Sequence, residues 1–174
     1  RAINVDGAVV ATIKNLNITT PAGRGIIISS PKEDIYLDNV VVNGPGYALN
    51  TTEHNGKKLV VTNSTFKGWT SLAGLEYVSF TSCTFGENTS AYWQNFSYGE
   101  DYDRLIRPYV QTVFESCIFE QYFYVDLSAL GANAKVTLKS CKCGDVTITK
   151  ENYANYITIE LPEGRTLDDC VKFE

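Results

Sequence analysis

The sequence predicts an all-β fold, a parallel β-helix (solenoid) of about six coils of ~24 residues each. Three observations lead to this prediction. A short motif recurs six times, its apolar residues alternate with a period of two, and every copy has an Asn or Ser at the same position, here called the anchor. The anchors are Asn15, Asn39, Asn63, Ser82, Ser116 and Ser140.

Each copy of the motif alternates apolar and polar residues before its anchor and continues with apolar residues after it. The copy around Asn39 reads Ile35-Tyr-Leu-Asp-Asn39-Val-Val-Val42. Successive anchors are 24, 24, 19, 34 and 24 residues apart. Alternation with a period of two is the pattern of a β-strand, and a repeat of this length is typical of units that bury one face against their neighbours. We therefore expect one strand before each anchor and a second strand after it.

The anchors are predicted to form the corner between these two strands. Asn tolerates the left-handed backbone conformation that a tight corner requires, and its side chain can bond neighbouring backbone groups. In coils stacked ~4.8 Å apart, the six anchors would form a structural ladder, a buried row in which side-chain amides bond one another.

A third strand in each coil is predicted where apolar segments follow a turn, in most cases one that contains glycine. The candidate segments are 26–28, 47–49, 123–127 and 146–148. Three short strands in a coil of about 24 residues complete the description of a parallel β-helix.

With this motif, residues 5–160 resemble the right-handed, pectate-lyase-like β-helix superfamily. The resemblance implies a right-handed parallel β-helix but no single activity, because this fold hosts lyases, hydrolases, esterases, adhesins and inert stalks. Residues 152–174 depart from the motif and are expected to cap the C-terminal end. This ending is similar to that of uncharacterised extracellular β-helix proteins of Bacteroidetes-type gut bacteria, which implies an exported, surface-associated protein.

The length and composition predict one domain over residues 1–174, with residues 1–10 as an N-terminal edge or cap. The chain has 44% hydrophobic and 20% charged residues, which is ordinary for a globular protein. The first copy of the motif begins directly after residue 10, so the N-terminal edge of the strand stack lies close to the start of the chain. We therefore expect residues 1–174 to be the C-terminal part of a longer exported protein. The net charge of −5 disfavours nucleic acid and anionic membranes as partners. No apolar run approaches the ~18 residues of a membrane span, so no membrane insertion is expected.

The five cysteines are predicted to be reduced and buried. Cys83, Cys117 and Cys141 each follow an anchor directly, and they continue a column of equivalent positions that begins with apolar residues. Side chains stacked in this way are poorly placed for a relaxed disulfide. We expect them to act as small hydrophobic residues, and their spacing fits no metal site.

The longest interval between anchors contains an insertion over residues 86–108 that is rich in aromatic and charged side chains. Aromatic faces stack on sugar rings, and Arg and Asp bond hydroxyls or carboxylates. The insertion therefore predicts a carbohydrate-binding surface. The candidate ligand-binding residues are Tyr92, Trp93, Phe96, Tyr98, Asp101, Tyr102, Asp103, Arg104 and Arg107.

The same insertion has two other interpretations. Its aromatic residues could fold back over the flank, with Arg104 and Arg107 paired to Glu100, Asp101 or Asp103. These acids could also hold calcium, although they lack the spaced oxygen ligands of a dedicated loop. Outside the insertion, the residues directly before the anchors place opposite charges on adjacent coils, which predicts a salt-bridging flank. That row is Lys14, Asp38, Thr62, Thr81, Glu115 and Lys139.

These features favour a non-catalytic extracellular module that binds a polysaccharide or host surface glycan, or acts as an adhesin, at the bacterial cell surface. One alternative is a polysaccharide lyase or glycoside hydrolase fragment acting on acidic polysaccharide, with Asp101, Tyr102, Arg104 and Arg107 as its working residues. A second alternative is a structural spacer. The single histidine excludes mechanisms that need two, and no Gly-x-Ser-x-Gly elbow occurs.

Overall fold

The computed structural model describes residues 2–7, 11–20, 23–52, 57–73, 75–86, 105–108, 111–120 and 123–174. Within these residues the protein is all-β, as predicted, and its strands join in a curled, mixed sheet. The strands fall into three sets, according to whether they lead into an anchor, follow it, or come after the next turn.

The first set leads into the anchors or pairs with strands that do. It comprises β2 (Ala11–Thr19), β4 (Ile35–Thr52), β5 (Lys58–Thr62), β7 (Tyr77–Thr81), β10 (Gln111–Glu115), β13 (Val136–Lys139) and β17 (Val171–Phe173). The long strands β2 and β4 continue through their anchors, so their second halves belong with the next set.

The second set follows the anchors and comprises β6 (Thr65–Leu72), β8 (Thr84–Gly86), β11 (Ile118–Phe119) and β14 (Lys142–Cys143). The third set comprises β1 (Ile3–Asp6), β3 (Ile26–Ser29), β9 (Leu105–Pro108), β12 (Phe123–Asp126) and β16 (Ile157–Glu160), together with the last parts of β4 and β6. A short strand β15 (Val146–Thr147), a 3-10 turn (Tyr153–Asn155) and a single-turn helix α1 (Leu167–Cys170) complete the described elements.

Strands of one set pair in parallel with the equivalent strands of the neighbouring repeats. Ile35 of β4 lies opposite Leu59 of β5, and Thr112 of β10 lies opposite Val136 of β13. Both pairs are 24 residues apart, which is the spacing of the corresponding anchors. Among the described strands, only β14 and β15 pair antiparallel. Equivalent residues of successive repeats therefore lie side by side.

The core lies between the three sets and is filled by the alternate, inward-facing residues. Because equivalent positions lie side by side, aromatic residues at one position stack. Phe80 and Phe114 have ring centroids 5.3 Å apart and nearly parallel planes, and Phe85 and Phe119 are 5.4 Å apart. All four rings are almost completely buried. This burial supplies the main stabilisation of the fold, on the order of 2 kcal/mol per large apolar side chain.

The six anchors form left-handed corners, but they lie on the outside of the molecule. Their φ angles are between 51° and 55°, and all six side chains are exposed. Asn39 Nδ2 donates to Asn15 Oδ1 at 2.9 Å, whereas Asn63 Nδ2 donates to Asp38 Oδ1 at 3.0 Å. The Asn15–Asn39 bond agrees with the expected ladder, but the ladder does not continue to Asn63, and the expected burial of the row is wrong. The corner turns the backbone around the core, so that the anchor side chain extends towards solvent.

One predicted third strand is also wrong. Val146 pairs antiparallel with Cys143, across a two-residue turn in which Gly144 has a φ of 56°. A turn of this length requires left-handed backbone, which glycine adopts without strain. The third set continues instead with β16, where Ile157 lies opposite Phe123. Residues 152–174 thus contribute two strands to the sheet. One is β16, and the other is β17, which pairs with β13.

The predicted insertion ends earlier than the sequence suggested. Residues 105–108 form β9, where Ile106 lies opposite both Thr70 of β6 and Val125 of β12. Residues 87–104 lie outside the described part of the chain. In the described residues, no helix has the length and apolar character needed to cross a membrane.

Candidate functional site

Arg107 is the one candidate binding residue that lies in the described part of the chain. Its Nε donates to Asp126 Oδ2 at 2.5 Å, across the pairing of β9 with β12. The Asp126 side chain is only 4% exposed, and its Oδ1 accepts from the Ser128 amide at 2.9 Å and the Ser128 hydroxyl at 2.5 Å. Burial raises the pKa of Asp126, but the Ser128 hydrogen bonds and the Arg107 charge outweigh it and leave the pKa below its ordinary value. Asp126 is therefore an ionised, fixed carboxylate.

Arg107 also belongs to a cation–aromatic stack, defined here as Arg24, Tyr47, Trp69 and Arg107. The Arg107 guanidinium lies 5.3 Å from the Trp69 ring centroid. Tyr47 stacks on Trp69 with centroids 4.2 Å apart, and Arg24 lies 4.6 Å over Tyr47. Trp69 is buried, Tyr47 is half-buried and Arg24 is exposed. Cation–π contacts of this kind contribute roughly 0.5–2 kcal/mol each, more when they are desolvated.

Gly68 allows the rings of Tyr47 and Trp69 to stack. Its φ is 126°, and a Cβ there would lie 2.9 Å from the carbonyl oxygens of both Gly44 and Gly46. Only glycine tolerates this conformation and this close approach. The register of β4 and β6 shifts on both sides of the Tyr47–Trp69 pair. The cation–aromatic stack thus depends on an irregular pairing of β4 with β6, which the repeated motif does not predict.

The other candidates in the insertion lie outside the described residues. They are Tyr92, Trp93, Phe96, Tyr98, Asp101, Tyr102, Asp103 and Arg104. Glu100, which the alternative interpretations also used, lies outside them as well. The carbohydrate surface and the calcium site predicted there therefore stay predictions. For Arg107, the structure adds a partner, Asp126, that the sequence analysis did not name.

Sequence reasoning missed three polar residues on the outward face of β12 and β16. Besides Asp126, these are Tyr124 and Glu160, and the Tyr124 hydroxyl donates to the Glu160 carboxylate. Burial and this carboxylate raise the pKa of Tyr124, so the phenol stays protonated and is a poor general base. The alternation of apolar and polar residues in 123–127 could have identified two of them, because it places Tyr124 and Asp126 on the same face.

A shallow groove of about 270 Å³ lies on the outward face of β2, β4 and β5. We call it the Tyr36 groove, and its lining residues are Thr12, Lys14, Tyr36, Leu37, Asp38, Val60 and Thr62. The Tyr36 side chain is 42% exposed. Thr12 and Val60 are its neighbours in the paired strands, so the ring stands between two shorter side chains.

Asp38 is held in place at the rim of the Tyr36 groove. Thr62 Oγ1 donates to Asp38 Oδ1 at 2.7 Å, Asn63 Nδ2 donates to the same oxygen at 3.0 Å, and Lys14 Nζ lies 3.9 Å from Oδ2. These hydrogen bonds, that of Thr62 most strongly, hold the pKa of Asp38 below its ordinary value. The Lys14–Asp38 contact agrees with the predicted salt-bridging flank, as does a 2.6 Å contact between Lys139 and Glu115.

The cysteines are buried free thiols, as predicted, and the thiols of Cys83, Cys117 and Cys141 also hydrogen-bond to backbone carbonyl oxygens. The Val40 amide donates to Ser64 Oγ at 3.0 Å, and at the equivalent position of the next repeat Cys83 Sγ lies 3.7 Å from the Val61 carbonyl oxygen. Cys117 Sγ in turn lies 3.4 Å from the Phe80 carbonyl oxygen. Hydrogen bonds with the neighbouring thiols and burial raise the pKa of Cys117. Cys117 is therefore a structural, poorly reactive thiol.

In the described ranges, no group of three or more His, Cys, Asp or Glu side chains is arranged to hold a metal ion. Comparison with known proteins adds no assignment: neither protein-family models, nor curated proteins, nor solved structures match this chain.

Proposed function

We propose that the chain is a right-handed parallel β-helix of the pectate-lyase-like type, and that it serves as a non-catalytic, glycan-binding or adhesin-like module on the bacterial cell surface. Parallel pairing at the spacing of the anchors supports the β-helix. So do the six left-handed corners, which recur at the same position of every repeat. In this proposal the insertion between β8 and β9, together with Arg107 of β9, provides the main binding surface.

The observation that carries the binding proposal is the cation–aromatic stack next to the end of the insertion. Arg107 lies two residues after the start of β9 and is held by Asp126 and Trp69. Tyr47 and Arg24 extend the stack to an exposed cation. Within the stack, the Tyr47 and Trp69 rings face each other and the two guanidinium groups. The stack would therefore contact a sugar through guanidinium N–H donors, which bond hydroxyl groups.

The pairing of the acidic side chains supports a non-catalytic role. Glycosidases need two carboxylates that face one substrate, and lyases need a base that can accept a proton. Asp38, Glu115 and Asp126 are each paired with a basic side chain. The Tyr124 phenol, close to the stack, has a raised pKa.

Binding of the purified protein to immobilised plant, host and bacterial glycans tests the proposal, together with an assay for released sugars and unsaturated uronates. We expect retention on at least one glycan without product release. Trp93→Ala and Tyr98→Ala should weaken retention at least tenfold while the melting temperature stays unchanged. The control is Val146→Ala, which truncates an exposed side chain on β15 and should bind as the wild type does.

Each alternative has its own result in this experiment. Release of unsaturated uronates or reducing sugars would replace the proposal with the lyase or hydrolase interpretation. If the protein is retained on none of the glycans, the structural spacer is the interpretation that remains. If Trp93→Ala or Tyr98→Ala lowers the melting temperature by several degrees, the insertion is a structural flap instead.

A further inference from the structure

We propose that the Tyr36 groove is a second ligand site, which binds one neutral sugar ring carrying adjacent hydroxyl groups. It lies on β2, β4 and β5, whereas the insertion joins β8 to β9, so the site goes beyond the function proposed for the insertion. In this site the Tyr36 ring is the stacking platform, and Lys14 and Asp38 bond the hydroxyls.

The shape of the groove matches a single ring. Its volume of about 270 Å³ is below the range of ~300–1,000 Å³ that is typical of pockets for drug-sized ligands. Val60 contributes apolar lining, and Tyr36 is 42% exposed. An exposed aromatic ring next to a few fixed polar groups is the arrangement expected where one face of a ligand is apolar and its edge is polar.

The polar groups are complementary to a pair of hydroxyls. Lys14 Nζ and Asp38 Oδ2 are 3.9 Å apart, which is longer than a direct hydrogen bond of 2.7–3.2 Å. Asp38 accepts hydrogen bonds and Lys14 donates them, so one hydroxyl can donate to the carboxylate while its neighbour accepts from the ammonium group. Asp38 repels a carboxylate and Lys14 attracts one, so the two charges of the groove offset each other, while the net charge of −5 of the chain disfavours an anion. A neutral sugar therefore fits better than a uronate.

The site is preorganised. Tyr36 lies within β4, which pairs with β2 on one side and β5 on the other. Asp38 is fixed by Thr62 and Asn63, as described above. A ligand consequently orders few side chains when it binds, which lowers the entropic cost of association.

The test is a titration of the ¹⁵N-labelled protein with the methyl glycosides of glucose, galactose and mannose, followed by amide chemical shifts. We expect saturable shifts at Tyr36, Asp38 and Thr62 with at least one glycoside, with a Kd on the order of 1 mM. Tyr36→Ala should raise this Kd at least tenfold, and Asp38→Asn should raise it severalfold. Tyr36→Phe should keep the Kd within about twofold of the wild type, because it retains the ring.

Two controls separate this site from the insertion and from general effects on the sheet. Val113 is a half-buried residue of β10, at the outward position equivalent to that of Tyr36 in β4. Val113→Ala should leave the Kd unchanged. Trp93→Ala should also leave it unchanged. The proposal is overturned if none of the three glycosides shifts these amides at concentrations up to about 50 mM, some fifty times the expected Kd. It is equally overturned if Tyr36→Ala binds as the wild type does, or if glucuronate binds more tightly than the neutral glycosides.

Discussion

Arg107 and Asp126 form a hydrogen-bonded ion pair across β9 and β12, with Arg107 Nε 2.5 Å from Asp126 Oδ2. Each residue lies one position after the register pair Ile106–Val125. The carboxylate is buried, while the guanidinium is about a quarter exposed and also faces Trp69. The pair therefore joins the strand that ends the insertion to the next strand of the third set.

Replacing Arg107 with Met should lower the free energy of unfolding by about 2–3 kcal/mol. The reason is that Asp126 would be left as a buried carboxylate without its cation. The partial exposure of Arg107 places the expected loss below that of a fully buried pair. Chemical denaturation followed by circular dichroism measures the change.

The control for this prediction is Lys150→Met, which removes an ion pair to Asp168 between two exposed side chains and should change stability little. The double variant Arg107→Met/Asp126→Asn should recover part of the loss, because no uncompensated charge remains. If Arg107→Met is as mild as Lys150→Met, the ion pair does not hold β9 in place.

The stability of the protein should depend on the ionisation of Asp126 in acid. Its pKa is below the ordinary value of about 3.9 in the folded state, so its contribution is present above pH ~4 and is lost as the pH falls through the folded pKa. The stability difference between the wild type and Asp126→Asn should thus be constant above about pH 5 and shrink below pH 4. A difference that stays constant down to pH 2 would contradict this account.

At the corners, backbone conformation should matter more than the side-chain ladder. Asn39 has a φ of 53° and an exposed side chain. Asn39→Leu should cost about 1–2 kcal/mol through left-handed strain, whereas Asn39→Gly loses only the hydrogen bond to Asn15 and should cost less than about 1 kcal/mol. Thermal denaturation measures both.

The matched control for the corner is Asn17→Leu, in the extended part of β2 two residues after an anchor. This residue is also exposed, and its substitution should be nearly neutral. If Asn39→Gly costs as much as Asn39→Leu, the amide hydrogen bond rather than the backbone strain dominates the corner.

Cys117→Val should destabilise the protein more than Cys117→Ser, although Val is the more apolar side chain. Valine removes the thiol that donates to the buried Phe80 carbonyl oxygen, a loss of about 0.5–1.5 kcal/mol, whereas serine keeps a donor at this position. A serine at the equivalent position, Ser64, already accepts from the Val40 amide. Unfolding in urea ranks the two variants, and a Cys117→Val protein as stable as the wild type would show that Cys117 acts only by packing.

Much of the fold could be predicted because its determinants are local and repeated. The alternation around Asn39 or Ser116 identifies the strands on either side of the anchor, and the left-handed corner follows from what Asn tolerates. The hairpin at Gly144 was missed because a glycine turn before Val146 is compatible with either a third strand or a hairpin. Only the pairing with Cys143 distinguishes them.

The candidate site was less predictable, because its contacts join residues that are distant in sequence. Arg107 and Asp126 are 19 residues apart and meet only once β9 and β12 are in register. Tyr47 and Trp69 stack because Gly68 allows a close approach of the strands. The Tyr36 groove likewise needs three strands side by side.

By itself, the sequence determined that this protein is all-β, where its strands change direction, and which residues face the core, since these depend on backbone preferences and on burial of alternating apolar side chains. The tertiary structure decided that the anchors are exposed, that Asp126 neutralises Arg107, and that Tyr36 stands beside Lys14 and Asp38 in a groove. These features depend on the register between strands and on the direction of each side chain at the surface, where no periodic apolar pattern constrains the sequence.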